Sequence, residues 1–128
     1  MDEPRLKDLR IVIIEGSDVI KEALRVAFAE SDGAHLVGMA GEPAEGLHLV
    51  IAEQPDVVLM DVFPPQRSVE LLRSIRNVDQ GVIIIVFTAD DSPKMRVACR
   101  QAGATFYVIK WQLRELLELL QLVRKLGG

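Results

Sequence analysis

The sequence predicts an α/β protein, a doubly wound sandwich with helices on both faces of a parallel sheet. Two observations carry this. Short apolar runs rich in β-branched residues, at 11–14, 57–60 and 82–87, read as strands buried on both faces, as central strands of parallel sheets are. Between them lie segments whose apolar residues recur at helical spacing, so that strands and helices alternate along the chain. With 128 residues it has the length of one domain, 1–128, with a core expected over about 9–126.

In chain order, the first strand, Ile11-Val12-Ile13-Ile14, runs into Glu15-Gly16-Ser17-Asp18, a turn expected to cap a helix at Asp18. Ile20, Ala23, Leu24, Ala27 and Phe28 form that helix's inner stripe, and Asp32-Gly33 ends it. Residues 35–40 contain Gly38 and suit an edge strand. Pro43 opens a second helix with Leu47, Val50 and Ile51 inward, stopped by Pro55. After the third strand, Ser68 is expected to cap a helix with Val69, Leu72 and Ile75 inward and Arg73 and Arg76 outward. The fourth strand follows at 82–87, and Ser92-Pro93 opens a helix lined by Met95, Ala98, Cys99 and Ala102 and closed by Gly103 in a left-handed cap. Residues 105–109 are the fifth strand, and a last helix runs over about 112–126.

Composition narrows the function. About half the residues are apolar and a quarter charged, with a formal net charge of −4, which suits a globular protein and gives no basic surface for nucleic acid. A single cysteine excludes an internal disulfide framework and a cysteine-rich metal site and suits the cytoplasm. The longest apolar run is far too short to cross a bilayer, and the charged first ten residues do not read as an export signal, so no membrane association is expected.

If all strands are parallel, four of their carboxyl ends deliver Glu15, Asp61, Thr88 and Lys110 to one sheet edge, where open α/β sheets bind their ligands. Each has a plain alternative as a turn or surface residue, since strand ends are commonly polar. Their shared position favours a site. His35 and His48 have no ligand spacing, and Cys99 reads as a small core residue.

The segments IVIIEGSD, PDVVLMDVFPP, IIIVFTAD and GATFYVIK together resemble the receiver domains of two-component response regulators, the CheY-like group. The resemblance covers residues 9–126 and implies a flavodoxin-like (βα)5 fold with strand order 2-1-3-4-5. By position it implies that Asp61 accepts a phosphoryl group from a histidine kinase or phosphotransfer protein. Thr88 and Lys110 would bond phosphoryl oxygens, Ala89 would leave room, and Tyr107 would be the aromatic switch. It also implies Mg²⁺ on Glu15, Asp61 and the backbone carbonyl of Phe63.

The chain departs from the family in three places. Gly16 stands where the second acid of a pair is usual, which predicts weakened Mg²⁺ binding, since water can replace a lost ligand. The loop 62–67 reads as one residue short and without its glycine. Trp111 replaces the proline of a cis peptide after Lys110, so a trans bond is expected there. Trp111 is either a binding anchor or a cover over the last helix. That helix carries seven leucines, which either bury it deeply or leave an apolar band for a homodimer or output domain on the helix 4, strand 5 and helix 5 face.

Three functions follow as expectations. The first is a phosphoacceptor signalling module, not an enzyme. The second is a receiver-like interaction or dimerisation domain that is not phosphorylated. The third, a phosphohydrolase of the haloacid dehalogenase type, lacks its general acid because Phe63 stands two residues after Asp61.

Overall fold

The computed structural model describes residues 6–127. Among them, β1 (Leu9–Ile14), β2 (Ala34–Ala40), β3 (Val57–Met60), β4 (Ile83–Thr88) and β5 (Phe106–Ile109) alternate with α1 (Asp18–Ala29), α2 (Pro43–Glu53), α3 (Pro65–Val78), α4 (Pro93–Ala102) and α5 (Leu113–Gly127). All pairings are parallel and the order is β2-β1-β3-β4-β5. Alternate side chains of the central strands feed two cores. Ile11, Ile13, Leu59, Ile85 and Phe87 pack with α1 and α5, while Val12, Val58, Met60, Ile84 and Val86 pack with α2, α3 and α4. β2 is an outer strand, with an irregularity where its register against β1 jumps from Leu36 to Gly38.

Several local expectations are corrected. The cap of α1 is Ser17, whose side chain accepts from the Ile20 amide; Asp18 is the first helical residue. Ala23 is exposed, leaving Leu24 and Phe28 as the buried residues of α1. α3 begins at Pro65, three residues before Ser68, because proline suits the first helical position, and Ser68 is buried in the first turn. Ile51 is 54% exposed, whereas Gly46 and Val50 face the sheet. The reason is close approach: a Cβ on Gly46 would lie 2.6 Å from Ile14 Cδ1, so only glycine lets α2 pack at this depth.

Arg76 does not point outward. Its guanidinium donates to the carbonyls of Gly103 (2.7 Å), Val82 (2.7 Å), Gln80 (3.0 Å) and Asp79 (3.3 Å), tying the end of α3 to the start of β4 and the α4 cap. Gly103 serves this twice, with φ 115° at the cap and no Cβ to meet the Arg76 stem. Arg124 of α5, which is buried, donates to the carbonyls of Lys7 (3.0 Å) and Asp32 (2.7 Å) and fastens the other end of the sheet.

Most of the leucines of α5 are consumed by packing. Leu116 and Leu120 are buried and Leu113, Leu117 and Leu119 lie against the core, while Leu122 and Leu126 are exposed. Trp111 is 78% exposed and covers nothing. The only cis peptide among the described residues is Phe63–Pro64, so the Lys110–Trp111 bond is trans.

Candidate functional site

The sheet register brings the site together. Ile14 pairs with Met60 and Met60 with Val86, so Glu15 and Asp61 leave adjacent strands at the same level. Their backbones continue the ladder for one step: the Asp61 amide donates to Ile14 O at 3.1 Å and the Glu15 amide to Ala40 O at 2.8 Å. Thr88 pairs with Ile109, and the Lys110 amide donates to Thr88 O at 2.9 Å. Glu15, Asp61, Thr88 and Lys110 thus stand at one edge, as the sequence placed them.

At its centre the Lys110 ammonium lies 2.7 Å from Glu15 Oε1 and 2.8 Å from Asp61 Oδ2. These groups are largely withdrawn from water, with side-chain exposures of 10% for Lys110, 4% for Glu15 and 14% for Asp61. The other carboxylate oxygens accept backbone amides, Glu15 Oε2 from Ser17 at 3.0 Å and Asp61 Oδ1 from Val62 at 2.7 Å. Burial works to lower the Lys110 pKa, but the bonds and charges of Asp61 and Glu15 outweigh it and hold it above its ordinary value.

Thr88 is buried and its hydroxyl oxygen accepts the Asp90 amide at 3.3 Å, which leaves the hydroxyl proton free to donate. Ala89 beside it is exposed. Tyr107 is half-buried, its hydroxyl donating to the Asp90 carbonyl, and burial, with the Asp90 charge, pushes its pKa up to about 12. Arg96 lies over the ring at 4.7 Å while bonding Asp91 at 2.6 Å, a clamp on Tyr107 that no sequence spacing announced.

The sequence also missed the two amides, of Ser17 and Val62, that fix the carboxylates. Asp18 does not reach the pocket: its exposed carboxylate pairs with Lys21 at 3.2 Å. Phe63, from the loop after β3, is 80% exposed at the same edge as Trp111. His35 and His48 are exposed, and His35 faces Asp8 at 3.3 Å.

This is a doubly wound sandwich carrying a carboxylate, a hydroxyl and an ammonium at its switch point. A family description, response regulator receiver domain, matches residues 11–121, and the chain belongs to that family, a signalling module of two-component systems. Response regulator MprA of Mycolicibacterium vanbaalenii is 34% identical over 111 residues, covering 85% of this chain and 47% of that protein. MprA of Mycobacterium ulcerans is 32% identical over the same length, again 47% of its own chain. The chain therefore spans about half the length of these curated relatives. Among solved structures, a two-component response regulator of the LuxR family from Aurantimonas sp. SI85-9A1 superposes with a TM-score of 0.81 at 26% identity, over 93% of this chain and 89% of that one. A CheY-like receiver domain protein from Methanospirillum hungatei JF-1 gives 0.78 at 24% identity, over 96% and 99%, and so speaks for the fold.

Receiver domains generally hold Mg²⁺ in their acidic pocket. The donors here are hard oxygens of the right kind, but their arrangement does not fit the ion. Each oxygen of Glu15 and Asp61 already accepts a protein hydrogen bond, and Gly16 adds no ligand. Among the described residues no group of three or more His, Cys, Asp or Glu side chains is placed to hold a metal.

Proposed function

We propose that this chain is a phosphoacceptor module in which Asp61 takes a phosphoryl group from the phosphohistidine of a histidine kinase or phosphotransfer protein. An Asp61 carboxylate oxygen forms a bond to phosphorus as the N–P bond breaks, and the electron pair leaves with the imidazole, which takes up a proton. Lys110 compensates the charge on the transferred group and Thr88 donates its hydroxyl to a phosphoryl oxygen. The observation that carries this reading is the Lys110 ammonium held 2.8 Å from Asp61 beside the buried Thr88. Drawing Thr88 toward a phosphoryl group would alter the loop bearing Asp90, to which Tyr107 is bonded, and so bias the face formed by α4, β5 and α5 toward a homodimer or an output domain.

Incubation with a small phosphodonor, read by intact mass, tests this. The wild-type chain gains one phosphoryl mass, Asp61→Asn gains none, and Lys110→Met is labelled about 100-fold more slowly. Equal labelling of the Asp61→Asn variant overturns the assignment.

A second reading, a receiver-like domain that works by binding alone, is favoured by Gly16 and by the bare aromatic side chains of Phe63 and Trp111 at the pocket edge. It predicts no labelling, with partner binding lost in a Phe63→Ala, Trp111→Ala double variant.

A further inference from the structure

We propose that the Asp61 pocket of this chain uses the Lys110 ammonium in the place of a divalent cation, and that the missing side chain at Gly16 keeps it from binding Mg²⁺. This rests on the reading of Asp61 as the acceptor. Three observations carry it.

The first is competition. Lys110 joins Glu15 and Asp61 from between them at 2.7 and 2.8 Å, while the other carboxylate oxygens accept the Ser17 and Val62 amides, so both carboxylates are already turned toward protein donors. Mg²⁺ demands near-ideal octahedral geometry and gives up water reluctantly, so it gains little by displacing a bound ammonium from two ligands.

The second is charge. Two carboxylates and one ammonium leave the pocket a single net negative charge, and attraction for a dication scales with it. Lys21 adds a second cation at the β2–α2 turn: a Cβ on Gly41 would lie 3.7 Å from Lys21 Nζ and 3.9 Å from Glu15 O. Asp18 compensates that charge from 3.2 Å, on the solvent side.

The third is that glycine at position 16 is not demanded by the backbone. Only Gly33 and Gly103 are glycines with positive φ among the described residues, and a Cβ on Gly16 would meet Gly41 O at an ordinary 3.7 Å. The position can carry a carboxylate. What the fold lacks there is a ligand, and restoring it would raise the pocket to two net negative charges.

Calorimetric titration of wild type and Gly16→Asp with MgCl₂ alone tests this, with labelling by acetyl phosphate run in Mg²⁺ and in EDTA. In that reaction an Asp61 oxygen bonds phosphorus as the acetyl O–P bond breaks and acetate leaves with the electron pair. Wild type is expected to show no saturable Mg²⁺ binding at millimolar concentrations and equal labelling in both buffers, while Gly16→Asp binds Mg²⁺ saturably. Saturable binding by wild type, or labelling of wild type only with Mg²⁺, overturns the proposal. So does the absence of binding in a Gly16→Asp chain that unfolds as cooperatively as wild type. If that variant does not fold, the wild-type titration alone decides. Absence of labelling in both buffers counts against Asp61 as acceptor and leaves the metal claim to the calorimetry.

Discussion

At the scale of single residues, Lys110 holds the site together. Its removal leaves two inward-facing carboxylates without a counter-ion, so Lys110→Met should destabilise the chain by less than the ~3–5 kcal/mol of a fully buried broken pair, because Asp61 keeps some contact with water. Denaturant unfolding should show Asp61→Asn restoring part of that loss in the double variant, since one of the two charges is then gone; strict additivity would mean the pair is not coupled. The sign of the pH dependence follows from the same contact. A Lys pKa raised on folding contributes stability that is complete below the unfolded value of about 10.4 and is lost as pH rises through the folded value. The Lys110→Met variant should therefore lose the part of the alkaline unfolding limb that wild type shows above that range. Cys99 offers a simpler check. Burial pushes its thiol up to about 11 and its side chain is closed off from solvent, so a thiol reagent near pH 8 should modify it only when the chain unfolds.

At the scale of elements, two arginines do what helix propensity cannot. Arg76 closes the end of α3 onto β4 and the α4 cap by donating to the carbonyls of Asp79, Val82 and Gly103. Arg76→Ala should cost about 2–3 kcal/mol in chemical denaturation, through donors lost from several carbonyls at once. The spacing of α3 put Arg76 on the outer face because periodicity reports only which way a side chain leaves its helix. A long side chain can leave sideways and curl back over the helix end, and only the neighbouring chain decides that. Ser68 shows a related limit. As a residue type it suits a cap, but Pro65 already satisfies the first helical position, so the helix starts earlier and Ser68 is absorbed into it.

At the scale of the whole molecule, the alternation of strands and helices and the convergence of Glu15, Asp61, Thr88 and Lys110 were legible from the sequence, because buried parallel strands leave nearly pure β-branched runs and a parallel sheet sends all carboxyl ends to one edge, while the strand order followed from the resemblance to receiver domains. The hydrogen bonds of the Ser17 and Val62 amides and the stacking of Arg96 on Tyr107 were not legible. They depend on loop conformation and side-chain reach, which carry no period. The same applies to Ile51, displaced from the inner face because Gly46 lets α2 settle on Ile14. The central claim is that this geometry exists to make Asp61 an acceptor. An aspartyl phosphate is reduced by borohydride to homoserine, so peptide mapping after phosphodonor treatment and reduction tests the claim at its own atom. Homoserine is expected at position 61 and nowhere else; unmodified Asp61 in fully treated protein, or homoserine at another aspartate, would contradict the acceptor role of Asp61.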